Sequence, residues 1–130
     1  MSTECNICVY DEKDIPVSLI YVHSNGCPEG KNGILNVIVP LVTDFIKVRG
    51  FYDPSYLAAQ LVYALIYNTN QEAISENYFD NSKYTGVGMS REVGNYIEYF
   101  YKVHKNKIEV LKTPEPYNID SWYTIKTIKY

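Results

Sequence analysis

Apolar and polar positions alternate with period two at both ends of the chain and recur at helical spacing in its middle. Residues 4–10 place Cys5, Ile7 and Val9 on one face and Asn6, Cys8 and Tyr10 on the other, which predicts a strand. Asp11-Glu12-Lys13-Asp14 is a charged turn, and Val17 to His23 alternates again, with Val17, Leu19, Tyr21 and His23 on one side. The two runs predict a hairpin. Ile34, Ile38, Leu41, Val42, Phe45 and Ile46 share a helical stripe, so a first helix is expected from about Leu35 to Val48. Pro40 belongs only in a first turn, which leaves the start open between Asn36 and Val39. Arg49-Gly50 supplies a basic last turn and a stop.

A second helix is predicted from Ser55 to Tyr67, with Asp53 as N-cap and Pro54 at the first helical position. Leu57, Ala58, Leu61, Ala64 and Leu65 form its core stripe, and Tyr56, Gln60, Tyr63 and Tyr67 form a second stripe. That second stripe packs on a tyrosine-rich sheet or meets a partner or ligand. Residues 68–94 are polar and irregular, and so long a loop in a compact domain tends to carry function. Strands follow at Tyr96 to His104, Ile108 to Lys112 and Trp122 to Tyr130, with Pro114-Glu115-Pro116 as a rigid connector. The sum is an α+β fold ordered β-β-α-α-β-β-β: an antiparallel sheet of about five strands with two helices on one face.

Composition narrows the class. A chain of 130 residues is one domain by size, residues 1–130, with 46% hydrophobic and 21% charged residues, as in a soluble globular protein. A net charge of -3 is too weak and scattered to attract nucleic acid directly or to imitate its backbone. No apolar run reaches the roughly 20 residues of a membrane helix. The start, Met1-Ser2-Thr3-Glu4, lacks a basic and apolar leader, and Cys5, Cys8 and Cys27 are odd in number. Free thiols in a reducing cytoplasm are expected. The 14 tyrosines suit half-buried strand faces and contact surfaces.

Candidate chemistry concentrates in Tyr21 to Gly30, where polar side chains, two glycines and a proline separate a strand from a helix. Cys5, Cys8, His23 and Cys27 are formally a zinc set. Strand alternation points Cys5 and Cys8 to opposite faces, so no metal site is assigned. His23 with Cys27 resembles a base beside a thiol, and His23 with Glu29 an acid–base pair, both without an orienting third group. No cofactor motif is present, because Gly86-Val87-Gly88 lacks the spacing of a dinucleotide or phosphate loop. Ligand binding is the stronger reading. His23, Asn25 and Glu29 offer polar contacts at a strand end, and Gly86 and Gly88 let backbone amides approach an anion. Arg91, one of two arginines, can clamp a phosphate or carboxylate, and tyrosines such as Tyr84 can stack on a flat ring.

The stretch Tyr21 to Gly30 resembles a motif of small uncharacterised phage and bacterial proteins, approximately Tyr-Arg-His-x-Asp-Gly-Tyr-Pro-Glu-Gly. Arg49-Gly50, Tyr56-Leu57-Ala58-Ala59, Thr85-Gly86-x-Gly88 and Ile97-Glu98-Tyr99-x-Tyr101 resemble later pieces of that family in the same order. The resemblance covers about residues 17–104. Val22, Asn25 and Cys27 depart from it, standing where Arg, Asp and Tyr are usual. Asn25 would remove any role of that Asp as a base or metal ligand, which favours binding over catalysis. The resemblance implies a phage or prophage accessory protein in the bacterial host cytoplasm. By analogy with other small phage proteins, it implies an anti-defence role. The expected partner is a sequestered nucleotide-like small molecule or, alternatively, a host defence protein docked on a tyrosine-rich face. A homo-oligomer is compatible with either.

Overall fold

The computed structural model describes residues 3–69, 86–114 and 121–130. The fold is α+β: among the described residues there are two helices and a sheet of six strands in the order β3-β2-β1-β4-β5-β6. β1 (Cys5–Tyr10) and β2 (Pro16–Val22) form the expected hairpin, with Cys5 opposite Val22 and Ile7 opposite Ile20. Its turn is held by the Asp11 carboxylate, which accepts from the amides of Lys13 at 2.8 Å and Ile15 at 3.0 Å.

The expectation of about five antiparallel strands is corrected twice. A short strand β3 (Val87–Met89) lies within the polar stretch 68–94 and pairs with β2 at the sheet edge. The central pair, β1 with β4 (Tyr99–Val103), is parallel, so the sheet is mixed. Residues 90–98 cross the sheet face to carry the chain from one side of β1 to the other. Gly94 donates to the Asn6 side chain at 3.1 Å, and the Glu98 amide donates to the Glu4 carbonyl at 3.1 Å. β5 (Lys107–Lys112) and β6 (Tyr123–Lys129) complete the antiparallel end.

Helix α1 (Leu35–Arg49) keeps Pro40 in its interior, beyond the first turn to which the sequence pattern confines it. Pro40 and Asn36 share the exposed face, so the carbonyl that loses its amide partner faces water. Gly50, at φ 76°, closes the helix. In α2 (Pro54–Thr69) the Asp53 carboxylate accepts from the Tyr56 amide at 3.3 Å. Ile38, Val42, Leu57, Leu61 and Leu65 pack on Ile7, Val9, Ile20, Val22, Tyr101 and Val103, so one sheet face is the core. The other carries Glu4, Asn6, Cys8, Leu19, Tyr21 and Phe100, and is covered only in part. Trp122 sits over Phe100 at 4.5 Å between ring centroids.

The buried His104 joins the two hairpins. Its ring stacks on Tyr10 at 4.8 Å, and its two nitrogens meet Asp14 at 3.0 Å and Glu109 at 2.9 Å.

Candidate functional site

The chain turns at Asn25, at φ 62°, and Gly26 drops against the start of β1. The Gly26 amide donates to the Thr3 carbonyl at 2.9 Å, and the buried Tyr101 hydroxyl donates to the Gly26 carbonyl at 2.5 Å. This anchor fixes where β2 ends and where His23 stands. The His23 amide donates to the Gly86 carbonyl at 2.8 Å, and Tyr21 lies in register with Gly88.

Above this junction three side chains form a relay. Tyr21 donates its hydroxyl hydrogen to the Glu4 carboxylate. Its oxygen then accepts from His23 Nδ1 at 2.7 Å. Glu4 itself lies 3.8 Å from that nitrogen. The relay fixes the ring, and Nε2 has no partner among the described residues. The His23 side chain is 46% exposed, so Nε2 is free to meet a ligand.

Two residues along β2 from Tyr21, Leu19 enters a hollow of about 500 Å3. Cys8, Tyr10, Ser18, Ser90, Arg91 and Phe100 also line it, with Glu92 at its rim. Arg91 makes no ion pair among the described residues. Gly88 lies between the hollow and the relay, and a Cβ placed there would meet nothing within 4 Å among the described residues. Leu19, Tyr21 and His23 share one face of β2, so hollow, glycine and histidine are spread over about 13 Å of that face.

The structure therefore brings His23, Gly86 and Gly88 together and sets Arg91 along the same face. Two of the expected residues lie elsewhere. Asn25 lines a separate hollow of about 200 Å3 with Asn32, Val37, Leu65 and Asn68, toward the helices. Glu29 lines a third of about 400 Å3, where Lys126 donates to it at 2.6 Å and holds its carboxyl below the usual range. Tyr84 and Thr85 lie outside the described residues. Pattern reading missed Glu4 and the role of Tyr21. Shared strand parity did put Tyr21 beside His23, but cross-strand register was needed to add Glu4.

Of the cysteines, Cys8 lines the hollow and is hydrogen-bonded to Tyr10, while Cys5 lies in the core and Cys27 beside Glu29. Burial, then the neighbouring Cys27, pushes the Cys5 thiol up, and burial raises Cys8 against the opposing effects of Tyr10 and Lys102. Cys27 contacts Thr3 through sulfur at 3.6 Å. Among the described residues no three metal-ligating side chains converge. A thiol reagent under native conditions is expected to modify Cys27 first, with Cys5 and Cys8 reacting only on unfolding. Mass mapping of the modified peptides checks this.

No family model, curated protein or solved structure matches this chain. No described helix is long and apolar enough to cross a membrane.

Proposed function

We propose that the chain captures a small nucleotide-like ligand on the open face of its sheet and holds it without turnover. One observation carries this reading. Among the described residues, a glycine with open space above it separates an arginine-bearing hollow from a histidine whose outer nitrogen is unengaged. The hollow lies within the 300–1,000 Å3 range of small-molecule sites. Arg91 supplies a bidentate cation for a phosphate, the partly exposed Tyr10 supplies a ring edge, and His23 supplies a hydrogen-bonding end. The motif from Tyr21 to Gly30 adds the setting: a phage accessory protein in the bacterial cytoplasm that removes a nucleotide signal used in host defence.

Thermal shift against cyclic nucleotides and ADP-ribose derivatives tests the reading. A ligand present at about 100 times its Kd should stabilise the fold by about 2.7 kcal/mol. Arg91→Ala is expected to weaken binding by about 2 kcal/mol, roughly 30-fold, with the unliganded melting temperature unchanged because Arg91 is exposed. No shift with any member of the panel counts against a nucleotide ligand.

A further inference from the structure

The outer face of α2 has a composition that the ligand site does not explain. Between Pro54 and Thr69 there is no Asp, Glu, Lys, Arg or His. Yet Tyr56, Tyr63 and Tyr67 are about half exposed, and Phe51, which shares the Arg49 guanidinium with Tyr56, is 55% exposed. A helix that is apolar or uncharged all round is normally buried on every side. Here the described residues cover only the face that carries Leu57, Leu61 and Leu65.

We infer that this face is the contact between two copies of the chain, related by a two-fold axis near Ala59. The chemistry selects a second copy over a different partner. Across a two-fold axis a residue meets itself or its neighbours, so a charged group near the axis would face its like. This face has none. Its polar groups are tyrosine hydroxyls, which both donate and accept and so can pair with their own copies. Of the charges at the α1–α2 junction, Arg49 pairs with Asp53 at 3.2 Å and lies 4.5 Å from the Tyr56 ring centre and 4.8 Å from that of Phe51, so this pair is already satisfied within one chain.

Exposed Ala59 lies on the same face as Tyr56 and Tyr63 and permits the 8–10 Å approach of packed helices. Half-exposed rings offer on the order of 100 Å2 each, so the four rings of Phe51, Tyr56, Tyr63 and Tyr67 supply about half of the roughly 800 Å2 per partner that a specific dimer needs, with Ala59 and the uncharged positions around them to extend it. Because the helices lie behind the sheet, such a dimer leaves both ligand faces open. The inference stands independently of the ligand reading.

Analytical ultracentrifugation of the full chain over roughly 1 to 500 µM, a range that brackets a micromolar contact, tests it. The wild type should reach twice the chain mass. Ala59→Glu and Ala59→Lys should each weaken self-association at least about tenfold, and an equimolar mixture of the two should restore the dimer, which a folding defect could not do. Should either charged variant fail to fold by circular dichroism, Tyr63→Ala is the substitute and should also weaken the dimer. A wild type that stays monomeric, an Ala59→Glu that dimerises normally, a Tyr63→Ala substitute that dimerises like the wild type, or a mixture that stays monomeric overturns the proposal.

Discussion

Gly26→Ala is expected to destabilise the protein by about 3 kcal/mol, a fall of about 10 °C in melting temperature. An added methyl group would lie 2.7 Å from the Thr3 carbonyl oxygen and 2.9 Å from Cys5 Cβ. The first of these is backbone, and Cys5 is fully buried in the core, so neither can move cheaply. Displacing the turn would also pull the Gly26 carbonyl from the buried Tyr101 hydroxyl. Tyr101→Phe isolates that last contribution and should cost less, about 1–2 kcal/mol, because it leaves one buried carbonyl unsatisfied without forcing the backbone. Chemical denaturation of the two variants checks both size and order. Equal stability of Gly26→Ala and wild type would show that the turn does not sit against β1.

Gly88→Phe is expected to do the opposite: leave stability unchanged or slightly raised while abolishing ligand capture. The position lies in a strand, an added Cβ meets no described atom within 4 Å, and aromatic residues favour strands. The new ring would occupy the space between Arg91 and the His23 relay. A loss of more than about 100-fold in affinity, at least 2.7 kcal/mol, is the expected readout by calorimetric titration. A variant that folds and still binds normally would place the ligand elsewhere.

Much of the fold is legible from local pattern because the determinants are local. Asp53-Pro54 starts α2, Gly50 ends α1, and the apolar stripes face the sheet as spacing requires. The β1–β2 hairpin follows from two alternating runs and a charged turn. Non-local pairing is different. β3 is three residues long, and only its register with β2 makes it a strand. The parallel match of β1 with β4 depends on a crossing segment held by Asn6 and Glu4, residues about 90 positions away from it.

The site divides in the same way. His23 and the glycines meet because β2 and β3 are neighbours, and Arg91 follows β3 onto the same face. Asn25 and Glu29, close to His23 in sequence, are carried away because the chain reverses at Asn25 and Gly26 docks behind β1. Glu4 was invisible for the converse reason: it is distant in sequence and adjacent only through register. His104 is only half legible in the same sense: Glu109 lies five residues away on its own hairpin, but Asp14 is 90 positions away on the other.

The most direct test of the ligand face is a two-dimensional amide NMR titration of the full chain with the nucleotide that gives the largest thermal shift. Shifts concentrated at His23, Gly86, Gly88, Ser90 and Arg91 are the expected result. Shifts confined to the helices or to the hollows around Asn25 or Glu29, with the β2–β3 face silent, would contradict it.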